Sequence, residues 1–184
     1  MTKEALYRDG HAATDDFLGL GMLYYAIAYM LKAKVCMCLG SGGGFVPRCM
    51  RQAQRDLCLV GGRTILVDDQ SGRWGQTYWG FFQANFPDVE HWKMTTAQAA
   101  RKCEEIELYP DYVHIDAGHD YPSAKEDSIN FGELLTENGI ITLHDTATVC
   151  GVPQVIKEIR QSPEWEVIDL NKIGVGVAIA KRRS

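Results

Sequence analysis

The feature that most constrains the fold is "VCMCLG" at 35–40, a run apolar on both faces. A strand without alternation is buried on both sides, which is the mark of a parallel sheet covered by helices. "TILVDD" (64–69) supplies a second strand, "EHWKMT" (90–95) a weaker third, "YVHID" (112–116) a fourth and "IITLHD" (140–145) a fifth. Helical patterns fall between and around them. "MLYYAIAYMLKAK" (22–34) is apolar and helix-favouring. Val46, Met50, Ala53 and Leu57 follow helical spacing, with Pro47 in the first turn and Gly61-Gly62 as the predicted stop. Phe131, Leu134 and Leu135 give another helix face, closed by Gly139. Val152, Val155, Ile156 and Ile159 stand at i, i+3, i+4 and i+7, with Pro153 near the start.

The tail "EWEVIDLNKIGVGVAIAKR" offers two strands joined by a link too short for a crossover helix, so they are expected to be antiparallel neighbours. The predicted architecture is α/β, a doubly wound, mostly parallel Rossmann-like sheet with helices on both faces and an antiparallel terminal strand. With 184 residues, 46% hydrophobic and 23% charged, the chain is expected to form one domain over 1–184, with an N-terminal helical segment (1–34) and a core (35–181).

Charge and composition exclude several partners. A formal charge of -5 leaves no basic surface for a phosphate backbone, and the one basic cluster, Lys181-Arg182-Arg183, reads as a solvated tail, so no nucleic-acid partner is expected. "MTKEALYRDG" lacks the apolar core of a secretion signal and no apolar run reaches bilayer length, so a cytoplasmic protein with no membrane partner is expected. The six cysteines (36, 38, 49, 58, 103, 150) show no CxxC pairing and read as reduced thiols. A homo-oligomer stays open.

In an open sheet of this kind, ligands bind beyond the carboxyl ends of the strands, near the point where strand order reverses. Every polar cluster falls at such an end: "CLGSGGGF", Asp68-Asp69, "TTAQ", "DAGHDY" and "HDT". Gly40, Gly42 and Gly44 form G-x-G-x-G, which lets backbone approach a ligand or simply makes a flexible turn. Counting from Gly40, the third glycine of a dinucleotide fingerprint would stand at 45, which is Phe45, and this argues against tight pyrophosphate binding. Asp68 and Asp69 can accept hydrogen bonds from ribose hydroxyls, or cap a helix. Tyr78, Phe81, Phe82 and Phe86 share a helical face expected to pack on the sheet, leaving Trp74 or Trp79 to cover a ligand.

The order "VCMCLGSGGG", "ILVDD", "TTAQAA", "YVHIDAGHDYPSAKEDSINFGELLTENGIITLHDT" and terminal hairpin resembles the class I S-adenosylmethionine-dependent methyltransferases. It is most similar to the small-molecule O-methyltransferase-like branch that includes macrocin O-methyltransferase and cephalosporin hydroxylase relatives. "IDAGHDY" plus "NGIITLHDT" carries most of the resemblance. It implies the class I methyltransferase fold and S-adenosylmethionine as methyl donor. The loop Gly40, Ser41, Gly42 and Gly44 would wrap the methionine and ribose part, and Asp68, or Asp69, would hold the ribose hydroxyls. Thr96, Ala97 and Gln98 would lie along the adenine edge, His119 on the cofactor side of its loop, and Asp116 beside the sulfonium. In cation-dependent relatives an Asp at the tip of strand four and an acidic pair after strand five hold a divalent ion. Here Asp116 and Asp145 would be the Mg²⁺ ligands, with Asp116 and His144 catalytic, His144 as base. The branch often has an acid where this chain has Cys38, and Asp-Asn where it has His144-Asp145. His114, inside its strand, reads as core, and Asp120 as a surface or capping residue. The implied reaction is methyl transfer to a hydroxyl of a small-molecule acceptor. A non-catalytic cofactor-binding module and a nicotinamide-dependent oxidoreductase are the alternatives.

Overall fold

Five of the seven strands among the described residues are hydrophobic on both faces or nearly so, and helices on either side of one sheet cover them. The computed structural model describes residues 8–40, 43–71, 84, 86–147 and 151–183. Its strands are β1 (Val35–Leu39), β2 (Arg63–Val67), β3 (Glu90–Trp92), β4 (Tyr112–Ile115), β5 (Ile140–His144), β6 (Trp165–Leu170) and β7 (Val177–Arg182). They lie in the order β3-β2-β1-β4-β5-β7-β6. The pairs from β3 to β5 are parallel, and β7 runs antiparallel between β5 and β6, as the short link in the tail requires.

Alternate residues of the central strands build two cores. Met37, Leu39, Ile65, Val67, Val113, Ile115, Ile141 and Leu143 face one way. They pack against α3 (Thr96–Glu105), α4 (Tyr121–Leu134) and α5 (Gly151–Gln161) through Cys103, Phe131, Val155 and Ile156. Cys36, Cys38, Leu66 and Tyr112 face the other way, against Tyr24 and Ile27 of α1 (Gly21–Met30) and Phe45, Val46, Met50 and Ala53 of α2 (Phe45–Asp56). Each such aliphatic or aromatic side chain contributes roughly 1.5–3 kcal/mol when fully buried.

The structure differs from the sequence expectation at two elements. The second helix stops at Asp56 rather than running to Gly61-Gly62, because Cys58 already takes a left-handed φ of 52°. Gln54, fully buried near that end, donates to the Ala33 and Arg63 carbonyls and so ties the helix to the sheet. Residues 95–98, read as the polar end of a strand, instead start α3. Thr95 caps it by accepting from the Gln98 amide N–H, and the Gln98 side chain accepts in turn from the Thr95 N–H. This is a capping box, T-x-x-Q, and it satisfies amides that the first turn leaves orphaned. The aromatic segment with Tyr78, Phe81, Phe82, Trp74 and Trp79 lies outside the described residues, as do Ser41, Gly42 and Cys150. The remaining five cysteines are free thiols. No helix among the described residues is long and apolar enough to cross a membrane.

Candidate active site

The chain leaves β1 for β2 on one side and reaches β4 on the other, so the strand order reverses between β1 and β4. The crevice that such a reversal opens beyond the carboxyl ends is where open α/β sheets bind ligands. Here it is a cavity of about 800 Å³. It is lined by the tips of β1, β2, β4 and β5, the start of α3 and one face of α4.

Its floor is a close backbone approach. Gly40 has φ +74°, and a Cβ there would collide with the Asp116 carbonyl. The Gly40 N–H donates to Val67 and the Asp116 N–H to Leu39, so the two loops are pinned side by side by the sheet itself. Gly44 takes φ +70° at the N-cap of α2, and Phe45 fills the space behind it, 1% exposed. Gly40 and Gly43 reach the cavity wall, and buried Arg48 donates back to the Gly43 carbonyl. Cys38 donates its thiol hydrogen to the Gly40 carbonyl at 3.0 Å, which turns this residue to holding the loop.

On the β2 side, Asp68 and Asp69 both line the cavity, but in different states. Asp68 is half-buried, with Oδ1 accepting from the Gln70 N–H, whereas Asp69 is exposed and engaged by the Ser71 amide and hydroxyl. Thr96 and Ala97 line the cavity from α3. Gln98 does not; it is exposed and occupied with its cap.

The other side concentrates the chain's imidazoles. Asp116 Oδ1 lies 3.4 Å from His119 Nε2 and 3.2 Å from His144 Nδ1. Asp145 Oδ2 lies 3.0 Å from the same His119 nitrogen and 3.5 Å from the same His144 nitrogen. Asp145 reaches this position through a left-handed φ of 60°, which Asp tolerates better than most residues. Burial opposes the Asp116 charge, yet the charges and hydrogen bonds of His144 and His119 outweigh it and hold the carboxyl well below its usual range. Burial likewise opposes a charge on His144, and Asp116 and Asp145 reverse the balance, pushing it up to about 10. Hydrogen bonds to the same two carboxylates raise His119. The cluster thus interleaves two carboxylates with two imidazoles whose protonated forms the carboxylates favour.

His114 behaves as the core residue expected of it. It is fully buried, its Nδ1 pairs with the Thr142 hydroxyl at 2.8 Å, and burial pushes it down to about 3. Asp120 caps α4 by accepting from the Ser123 N–H.

Two residues of the cavity are not among those the sequence pointed to. His11 comes from the segment before α1, is 6% exposed, and stacks on His144 with ring centroids 4.2 Å apart. Burial, and then the charge that a protonated His144 would add, lower it to about 4, which favours a neutral imidazole on the cavity wall. Its place depends on the Val175 N–H donating to the Gly10 carbonyl, a contact between the two ends of the chain that no local pattern announces. Asp127 of α4 is 2% exposed and lines the cavity, with Oδ2 lacking a hydrogen-bond partner among the described residues. Burial raises its carboxyl to about 6. The helical register of Asp127 with buried Ala124, Phe131 and Leu134 marked an inward face and was the available signal.

Solved structures with the same fold bind methyl-transfer cofactors. An O-methyltransferase from Bacillus cereus in complex with SAH has a TM-score of 0.75 at 16% identity, over 94% of this chain and 83% of that one. The O-methyltransferase TomG from Streptomyces achromogenes, involved in tomaymycin synthesis and in complex with SAM, gives 0.73 at 14%, over 96% and 87%. The SAH-bound methyltransferase PaMTH1 of Podospora anserina gives 0.69 at 17%, over 93% and 80%. A comparison with curated proteins gives no match. The profile of the family described as "Methyltransferase domain" matches residues 37–146, from β1 to the end of β5 and therefore over every strand tip that lines the cavity. The chain belongs to this methyltransferase domain family and has the class I, S-adenosylmethionine-dependent methyltransferase fold.

Proposed function

We propose that the protein transfers a methyl group from S-adenosylmethionine to a hydroxyl of a small molecule, in a cytoplasmic setting that its free thiols suit. The observation that carries this reading is the convergence of Gly40, Asp68, Asp116 and Asp145, from four different strand tips, on one cavity at the strand-order reversal. The O-methyltransferases among the structural relatives support the choice of a hydroxyl acceptor.

The donor supplies an electrophilic methyl on a sulfonium, attacked in line by the acceptor oxygen. The protein's contribution is positioning and charge. Asp68 accepts from the ribose hydroxyls, and its half-buried carboxylate makes those bonds stronger than exposed Asp69 could. Gly40, Gly43 and Gly44 give close backbone access to the methionine part, and Thr96 and Ala97 border the adenine. Asp116 faces the sulfonium. His144, expected as the base, lies between Asp116 and Asp145, which favour its protonated form in the unliganded protein. A sulfonium beside Asp116 draws on the same carboxylate, weakens His144's hold on its proton and so readies it, or Asp145, to take one from the acceptor.

The test is release of S-adenosylhomocysteine over an acceptor panel of phenols, catechols, sugars, amines and thiols. Turnover with hydroxyl acceptors, lost in Asp116→Asn, supports the reading. Turnover confined to amines or thiols overturns it.

A further inference from the structure

The Mg²⁺ expected at Asp116 and Asp145 does not match the donor atoms assembled there. Mg²⁺ takes oxygen ligands in a near-ideal octahedron and keeps several waters. Around Asp116 the protein instead gathers four of its five histidines: His11, His114, His119 and His144. Each of the two carboxylate oxygens that a Mg²⁺ would use already stands between two imidazole nitrogens. Asp116 Oδ1 and Asp145 Oδ2 alternate with His119 Nε2 and His144 Nδ1 in a closed ring with sides of 3.4, 3.0, 3.5 and 3.2 Å.

Those sides are long for charge-assisted hydrogen bonds, which run about 2.7–2.9 Å. Three of them, all but the 3.5 Å side between Asp145 and His144, fall within the spacing of neighbouring ligands of one ion, about 2.9–3.4 Å for bonds of about 2.0–2.1 Å meeting at angles from 90° to tetrahedral. Asp116, His119 and Asp145 offer one atom each within 4.8 Å of one another, and His11, Asp116 and His144 do the same. A second observation points the same way. His114 Nε2 is fully buried, has no hydrogen-bond partner among the described residues, and faces Asp116 Oδ2 at 4.0 Å. His144 Nε2 is also buried without a partner among them. These two nitrogens lie beside the ring rather than in it, and they add to the imidazole surroundings that set the cluster apart from an all-oxygen site.

We propose that this cluster is a binding site for a divalent transition ion of the zinc and cobalt class, held by Asp116, Asp145 and His119, whose ring gives up its proton as the ion binds, and that it discriminates against Mg²⁺. Imidazole nitrogen mixed with carboxylate suits such ions, whereas an all-oxygen set suits Mg²⁺. The site shares Asp116 and Asp145 with the methyl-transfer reading, but it is tested without donor or acceptor, so either can fail alone.

The test uses the full chain stripped with chelator and titrated with Zn²⁺ and Mg²⁺ by calorimetry, and with Co²⁺ by visible absorption. Zn²⁺ should bind at one site at least 100-fold more tightly than Mg²⁺. Co²⁺ should give the intense visible bands of a four- or five-coordinate ion, displaced by Zn²⁺. His119→Gln and Asp145→Asn should each weaken Zn²⁺ tenfold or more, while His91→Gln, outside the cluster, leaves it unchanged. Circular dichroism verifies that each variant is folded, and His119, with its side chain 41% exposed, is the variant least exposed to folding loss. Mg²⁺ binding as tight as Zn²⁺, or Zn²⁺ binding unaltered in folded His119→Gln and Asp145→Asn, overturns the proposal.

Discussion

Replacing Asp127 by asparagine should make the unliganded protein more stable relative to wild type at pH 7.5 than at pH 4. Asp127 is 2% exposed, and burial raises its carboxyl from 3.8 to about 6. Below pH 3.8 the carboxyl is protonated in both folded and unfolded chains and contributes no pH-dependent cost. Between 3.8 and about 6 the folded chain binds more protons than the unfolded one, so stability falls as pH rises through this window. Above it the folded state carries the full cost of a buried charge. That rise corresponds to about 3 kcal/mol. Asparagine has the same shape and does not titrate, so the variant escapes this penalty. For a chain of this size 3 kcal/mol corresponds to about 6–12 °C in Tm. The assay is paired urea or thermal melts of both proteins at half-unit steps from pH 4 to 8, reading the difference between them. A difference constant across that range would refute the assignment of a buried, charge-penalised carboxyl to Asp127.

Other perturbations separate the roles of neighbouring residues. Gly40→Ala forces a side chain into φ +74° and against the Asp116 carbonyl, and should cost at least about 3 kcal/mol, read as a fall in Tm, with loss of cofactor binding. Asp68→Asn should weaken S-adenosylhomocysteine about 10- to 100-fold in a binding titration with little change in Tm, since a hydrogen bond to a charged group contributes about 1.5–3 kcal/mol. Asp69→Asn, whose carboxylate is exposed and occupied by Ser71, should change affinity less than threefold in the same titration. Thr95→Ala removes the cap of α3 and should cost about 1 kcal/mol, or about 2–4 °C in Tm, without altering affinity beyond twofold.

The sheet was readable because burial on both faces leaves a one-dimensional trace. "VCMCL" and "TILV" cannot face water on either side, and the glycines and carboxylates that follow them fall at the strand tips. The antiparallel end was legible from loop length alone, since no crossover fits between β6 and β7. The start of α3 carried its own signal in Thr95 and Gln98, but "TTAQ" also reads as strand-end polarity, and the cap became evident only when both side chains met both amides. Asp116, His119, His144 and Asp145 line the cavity close to strand ends, where the sequence placed them. His11 was not so placed, because what brings it there is the hydrogen bond from Val175 to Gly10, between segments at opposite ends of the chain. The upward pull on His144 was equally hidden, since it comes from two carboxylates that converge only in the folded chain.

The central claim is that the cavity between β1 and β4 receives S-adenosylmethionine and its product, and calorimetry on the unmodified chain tests it most directly. Titration with S-adenosylmethionine, S-adenosylhomocysteine and NAD should give one-site binding for both sulfur nucleosides and none for NAD, which Phe45 at the third glycine position disfavours. Heat with NAD alone, or none with either sulfur nucleoside, would contradict the account.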